Sequence, residues 1–252
     1  MNTIKKMRLQ KALSNSGLFS RREAADIIDE GKVKVNGKIT YEKGLQVDIE
    51  KDVIEVDGKV ITLTIPKVYF IVNKPQGVIC SLKDEVGRKK IIDLIPKMPF
   101  KIFPVGRLDY NSEGLVLLTN DGELANILMH PSYNIIKTYR VKIKGKLSQS
   151  EIKLIKKGIE IDNRKVIPIS LKFLKIANNS WLEISLHEGR KHIIRKLFKK
   201  INHPIMRLKR IQIGPITAPD LKPGQFRQLT PKEIKILKQL KQQKQKYERN
   251  GV

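Results

Sequence analysis

Residues 105–124 read VGRLDYNSEGLVLLTNDGEL, and the rest of the chain is organised around them. Two short apolar runs, 101–105 (KIFPV) and 114–119 (GLVLLT), flank a polar turn that carries one carboxylate, Asp109. Each run is short, apolar and closed by turn residues, which predicts two buried strands. Asn120-Asp121-Gly122 closes the second run, and residues 123–129 read as a helix. An acid in a turn between buried strands is held rigidly yet open to a cleft. Arg107 stands two residues earlier, on the same side of an extended chain. Spacing alone favours a plainer role, in which Asp109 only satisfies the turn backbone, because Asp is a common turn residue.

Composition narrows the class of partner. A chain of 252 residues implies one large or two smaller domains, and 40% hydrophobic residues suffice for a core. Lys and Arg number 51 against 25 Asp and Glu, a formal charge of +26. Such an excess calls for a polyanion, most simply a nucleic acid. A Lys-, Ile- and Asn-rich composition also fits an AT-rich genome, so part of the excess reflects background usage. The charge is uneven all the same: residues 1–65 carry 12 basic and 10 acidic groups, whereas 66–252 carry 39 and 15. One cysteine, Cys80, excludes an intramolecular disulfide and a cysteine-cluster metal site. It sits in the apolar run Gly77-Val78-Ile79-Cys80 and reads as inert filler. No apolar run of membrane-spanning length exists, and the N-terminus lacks the apolar core of a signal peptide. The expectation is a cytoplasmic protein, monomeric and away from membranes.

Residues 7–62 pattern as one unit. Met7 to Leu13 has apolar residues at helical spacing, and Gly17 ends it. Ser20-Arg21-Arg22-Glu23 is a capping box that opens a second helix, with Ala24, Ile27 and Ile28 on its buried face. Residues 32–39 alternate charge and apolar around Asn36-Gly37, a hairpin signal, and 53–61 repeat the pattern with Asp57-Gly58. Arg21, Arg22, Lys32 and Lys34 would gather near one end of this unit, although solvated charge alone gives the same pattern.

Beyond a short linker at 62–67, Val68 to Val72 is a continuous apolar strand, and Asn73-Lys74-Pro75-Gln76-Gly77 is a turn. Residues 137–145 (KTYRVKIKG) alternate, with Tyr139, Val141 and Ile143 on one face. Core packing with a tethered hydroxyl is the ordinary role for such a tyrosine. His130 shows no orienting partner and reads as structural or RNA-facing. Ser148-Gln149-Ser150-Glu151 is another capping box. Strands are expected at 159–162, 167–176, 180–186 and 207–214. His187-Glu188-Gly189-Arg190 is a turn, and 191–200 is a basic helix with Ile194, Leu197 and Phe198 on one face. A last helix starts at Thr230-Pro231-Lys232-Glu233, and 238–247 read as a frayed basic tail.

The strings carry more than their spacing. G-R-L-D-x-x-[ST]-x-G-L-L-L-L-T-N-D-G, filled here from Gly106 to Gly122 with Ser112 and Val116 as mild changes, resembles the catalytic signature of ribosomal RNA pseudouridine synthases of the RsuA type. N-K-P-x-G at Asn73 resembles the family's first motif and K-T-Y-R-V its K-x-Y motif. E-G-R-x-x-x-x-R-[RK]-[ML]-[LF], from Glu188, resembles its third, with Ile193 in a slot usually held by Gln. R-L-Q-K-A-L…G-x-x-S-R-R-x-A…I-x-x-G-x-V-x-V-N-G resembles the ribosomal-protein-S4-like RNA-binding domain.

These resemblances imply an α+β protein. Residues 1–62 would be a small S4-like α+β RNA-binding domain. Residues 66–230 would be a larger pseudouridine-synthase α+β catalytic domain with a mixed, largely antiparallel sheet, and 231–252 a basic C-terminal helix or tail. The implied reaction isomerises one uridine to pseudouridine in ribosomal RNA or a pre-ribosomal particle, with no cofactor and no metal. Asp109 would be the catalytic aspartate, nucleophile or base; Tyr139 would stack on the exposed base; Arg195 would hold Asp109 ionised and oriented through a fork of two hydrogen bonds. RNA contacts are expected at Arg21, Arg22, Lys32, Lys34, Asn36, Lys74, Arg107 and Arg190. The basic tail and the length favour large-subunit RNA. A non-catalytic RNA-binding ribosome-assembly factor is the rival reading. A two-carboxylate glycosidase, with Glu113 or Asp121 as second acid, is a weaker one.

Overall fold

The computed structural model describes residues 6–249, with side chains up to residue 240. It divides into two compact units. The first comprises the chain up to Val68 together with Lys97–Phe103 and Thr119–Gly122. The second comprises Tyr69–Pro96, Pro104–Leu118 and the chain from Glu123 on.

In the first unit, β1 (Lys6–Arg8) leads into α1 (Leu9–Asn15) and α2 (Arg21–Asp29), followed by β2 (Val33–Val35), β3 (Lys38–Ile39), β4 (Gln46–Asp48), β5 (Ile54–Val56) and β6 (Lys59–Val60). Leu9 and Leu13 of α1 pack with Ala24 and Ile28 of α2 and with Val33, Val47 and Ile54 from the strands. The capping box forms: Ser20 Oγ accepts from the Glu23 amide at 3.2 Å, and Glu23 accepts from the Ser20 amide at 2.6 Å. Glu23 also pairs with Lys101, which with these bonds holds its carboxyl at about 2. Asn36-Gly37 and Asp57-Gly58 adopt positive φ at both turn positions (51° and 79°, 48° and 75°), the conformation that two-residue hairpins demand. They join β2 to β3 and β5 to β6 in the four-stranded order β3-β2-β5-β6. One local expectation fails. Helical spacing begins at Met7, yet Lys6–Arg8 is a strand paired antiparallel with β4, with Met7 opposite Val47, and the helix starts at Leu9. A partner some forty residues away overrides the local pattern. The segment around Val68 is clasped by the end of the quoted block. Asn120 accepts from the Val68 amide and donates to Pro66 O, and Thr119 Oγ1 donates to Val68 O.

The second unit runs β7 (Tyr69–Lys74), β8 (Phe103–Val105), β9 (Glu113–Thr119), α3 (Gly122–Met129), β10 (Lys137–Ile143), α4 (Gln149–Lys157), β11 (Ile159–Ile161), β12 (Arg164–Val166), β13 (Ser170–Lys175), β14 (Trp181–Leu186), α5 (Ile193–Lys200), β15 (Ile205–Ile213), β16 (Ile216–Thr217), β17 (Phe226–Gln228) and α6 (Pro231–Arg249). Its nine-stranded sheet has the order β13-β14-β10-β15-β9-β7-β17, with β16 on β15 and β8 on β9. Pairing is antiparallel between β10 and β14, β10 and β15, β13 and β14, and β7 and β17. The pair β9–β15 is parallel, with Glu113 opposite Lys209 and Gly114 opposite Arg210. The sheet is mixed and largely antiparallel, and the fold class is α+β. Burial explains the strand patterns: β7 is buried at every residue, as a central apolar run requires, whereas β10 alternates around Tyr139, Val141 and Ile143. Strand 167–176 is shorter than its pattern, starting at Ser170, because Arg164–Val166 folds back on Ile159–Ile161 instead.

The C-terminus differs from the expected frayed tail. Thr230 caps α6, Glu233 accepts from both Arg227 terminal nitrogens at 2.8 Å, and Leu237 is fully buried. From that anchor the helical backbone continues to Arg249. The rest of the basic segment, residues 250–252, lies outside the described residues. Among the described residues no helix is long and apolar enough to cross a membrane.

Candidate active site

Strand β15 explains why the site forms where it does. It lies between β10, which carries Tyr139, and β9, which follows the Asp109 turn. Alternation along β10 sends Lys137 and Tyr139 to one face, and Arg210 of β15 stands opposite Tyr139 in register. The loop from β14 to α5 closes the other side. Together they line a cavity of about 750 Å³, within the usual size of a ligand pocket.

Asp109 lines this cavity with its side chain about one-third exposed. The turn that holds it is closed by backbone: the Ser112 amide donates to Asp109 O at 3.0 Å. The plainer role for Asp109 therefore fails, since main chain satisfies the turn and the carboxylate points elsewhere. Its Oδ2 lies 3.2 Å from His192 Nδ1 and 3.8 Å from Arg195 Nε. His192 reaches it from an unusual backbone position, at φ 56° just before α5.

Arg195 meets Asp109 differently from the expected fork. One nitrogen approaches at 3.8 Å, while Nη2 donates to Asn111 O at 3.2 Å and to Ser112 Oγ at 3.1 Å. Arg195 is outside the cavity lining and braces the Asp109 turn from behind. Ser112, fully buried, is the hydroxyl that makes this brace possible. Ile193, in the slot usually held by Gln, is a buried wall residue of the cavity.

One of the expected RNA contacts is corrected. Lys74 is fully buried, and its ammonium donates to Val78 O at 2.7 Å, Pro75 O at 2.9 Å and Tyr110 O at 3.4 Å. Burial pushes it below the ordinary lysine value, with Cys80 and Asp109 among the groups opposing that shift. It cannot touch RNA; it ties the first motif to the residue after Asp109. Removing the ammonium strands three carbonyls, so Lys74→Met is expected to cost about 3 kcal/mol of stability. Urea denaturation measures this, and an unchanged midpoint would show that the carbonyls do not depend on Lys74. Asn36 is exposed at its hairpin, where its side-chain amide donates to Asp52 and accepts from the Val53 amide, both at 2.9 Å.

The remaining expected contacts divide. Arg107 lines the cavity and is exposed. Arg190 lines it too but is braced against Glu188 and Ile161 O. Arg21, Arg22 and Lys32 are exposed and Lys34 is half-buried, all in the first unit, with Lys32 paired to Glu30 at 2.6 Å. His130 Nδ1 bonds Ser132 Oγ at 2.7 Å, a local structural role. Glu113 and Asp121 are outside the cavity lining, which holds Asp109 and the already paired Glu188 as its carboxylates among the described residues. A two-carboxylate glycosidase lacks its second free acid.

The sequence pattern missed three groups here. No motif or spacing assigns a role to His192, Lys137 or Arg210, and Arg210 is 3% exposed.

Comparison with known proteins fits this geometry. Residues 68–200 match the RNA pseudouridylate synthase family, and residues 7–54 match the S4 domain. A crystal structure of a pseudouridylate synthase superposes with a TM-score of 0.67 at 29% identity, covering 92% of this chain and 99% of that one. An RNA pseudouridine synthase of Aquifex aeolicus, itself uncharacterised, is 44% identical over 230 residues, 90% of this chain and 92% of the relative. Ribosomal large subunit pseudouridine synthase B of Bacillus subtilis is 42% identical over 236 residues, 92% and 96% of the two chains. Fold and cavity thus define an RNA-modifying enzyme with its own RNA-binding module. The chain belongs to the RNA pseudouridylate synthase family, with an S4 domain ahead of the catalytic unit. It is an isomerase that makes pseudouridine in RNA.

Proposed function

We propose that the protein isomerises one uridine of ribosomal RNA, in the large subunit, using Asp109 and no cofactor. The observation that carries this reading is the placement of Asp109 and Tyr139 on one cavity, with Arg195 bracing the Asp109 turn. Isomerisation detaches the uracil from C1′ of the ribose, turns it and rejoins it through carbon 5. The net reaction neither oxidises nor reduces the substrate. Asp109 acts at the sugar, as nucleophile or base, and Tyr139 offers a flat surface to the exposed pyrimidine. Arg195 positions Asp109. The name of the Bacillus subtilis relative, a ribosomal large subunit pseudouridine synthase, supports a large-subunit address.

The first unit would supply that address, through Arg21, Arg22, Lys32 and Lys34 on structured RNA. Residues 1–62, 66–230 and 231–252 would then be addressing, catalytic and tail segments of a cytoplasmic monomer. The test is release of tritium from carbon-5-labelled uridine in large-subunit RNA transcribed in vitro. Release from one site supports the reading; release from small-subunit RNA instead would move the address, and none from either would remove the substrate.

Phosphate contacts should dominate binding, given the charge of +26. With about six phosphates engaged, affinity is expected to fall roughly a thousandfold between about 50 and 200 mM salt. A flat salt series would assign the basic surface to background composition.

A further inference from the structure

Arg210 and Lys137 are the two cations of the cavity that are drawn back from solvent with no acid paired to them. Arg210 is 3% exposed; its Nε donates to Leu115 O at 2.7 Å, and its Nη2 is buried without a hydrogen-bond partner. Lys137 lines the same cavity, and its ammonium has one long contact, 3.4 Å to Ile135 O. Tyr139 ties the two together: it shares a face of β10 with Lys137 and stands opposite Arg210 in register. The acids of the cavity are engaged elsewhere, Asp109 facing His192 and Arg195, and Glu188 facing Arg190. A buried, unsatisfied guanidinium beside a second cation is costly unless an electron-rich oxygen completes it.

We propose that Arg210 and Lys137 form an oxyanion-binding pair that takes the negative charge of the pyrimidine as it detaches from the ribose. The inference rests on the reading of this cavity as the uridine site. When the N1–C1′ bond breaks, its electron pair leaves with the ring and spreads from N1 to the O2 and O4 carbonyls. C1′ is satisfied either by the Asp109 carboxylate or by a double bond to C2′ after proton loss there. The ring is an anion in both routes. It later gives a pair from carbon 5 to C1′, as the Asp109 carboxylate leaves or as C2′ takes back its proton; the carbon-5 proton is then lost and N1 gains one. Cationic donors aimed at such an oxygen in a dry site favour the detached state over the bound substrate.

A pH signature follows from the same pair. Burial, and then the charge of Arg210, pull Lys137 down to about 8. The charged and titratable groups sharing its cavity are Arg210 from β15, Arg164 from β12, His187, Glu188, Arg190, Lys191 and His192 between β14 and α5, and Arg107 and Asp109 before β9. Because the pair works with a charged ammonium, kcat/KM should fall as pH rises through about 8.

The experiment is single-turnover tritium release by the full chain, alongside RNA affinity, for wild type, Lys137→Gln and Lys137→Arg. Arg210 also holds Leu115 O, so its variants risk misfolding, and Lys137 carries the test. Lys137→Gln should slow release about a hundredfold while RNA affinity stays within about threefold. Lys137→Arg should restore most of the rate and lose the fall above pH 8. An unchanged rate in Lys137→Gln overturns the proposal. So does a loss confined to RNA affinity, which would make Lys137 a phosphate contact, and so does a fall that persists in Lys137→Arg. A wild type that releases no tritium removes the reading of the cavity and this inference together. An active wild type with any of the other contrary results removes this inference alone.

Discussion

Asp109→Asn is expected to slow tritium release by on the order of 10⁴-fold or more, with RNA affinity unchanged within about threefold. The substitution keeps shape and polarity: an amide oxygen can still face His192 and Arg195. It removes the charge and the lone-pair reactivity that either route at the sugar requires. Arg195→Lys should fall between the two. The guanidinium reaches Asp109, Asn111 O and Ser112 Oγ at once, whereas an ammonium cannot span all of them, so a loss of about ten- to a hundredfold is expected. The double variant should be no slower than Asp109→Asn, because residues acting as one unit are not additive. Additive losses would give Arg195 work independent of Asp109.

Gly114→Ala is expected to be the most destabilising single methyl addition at the site, costing more than about 4 kcal/mol. Gly114 sits at φ 115°, a conformation that residues with a Cβ rarely adopt. A Cβ there would lie 2.2 Å from Arg210 O and 2.4 Å from Arg210 N. Neither can yield, since both belong to the backbone of β15 where it pairs with β9. Either the parallel pairing opens or the chain fails to fold, and both outcomes separate the Asp109 turn from Tyr139. Urea denaturation and tritium release should fall together. A stable, active Gly114→Ala protein would show that β9 and β15 are less closely apposed than described.

Much of this arrangement is legible locally. Capping boxes at Ser20 and Ser148, and hairpins at Asn36-Gly37 and Asp57-Gly58, are decided by atoms within a few residues of each other, and all four form. The face of β10 is equally local, because alternation alone places Tyr139 with Val141. What escaped depends on distant partners. Lys74 reads as surface charge until Tyr110 O, thirty-six positions away, helps to enclose its ammonium. Met7 reads as helical until Val47 pairs with it. His192 gains meaning once the left-handed turn before α5 aims it at Asp109. Arg210 differs from an ordinary strand arginine through its burial, which no spacing reveals. The roles proposed for Asp109, Tyr139 and Arg195 rest on the resemblance of whole strings, and spacing alone points away from catalysis for Asp109 and Tyr139.

The most direct test of the account is a quantitative pseudouridine map of ribosomal RNA from three strains: wild type, one lacking the gene, and one carrying only Asp109→Asn. The account predicts that one large-subunit pseudouridine present in wild type is absent from both of the others. A map unchanged by loss of the gene, or a site that persists with Asp109→Asn alone, would contradict it.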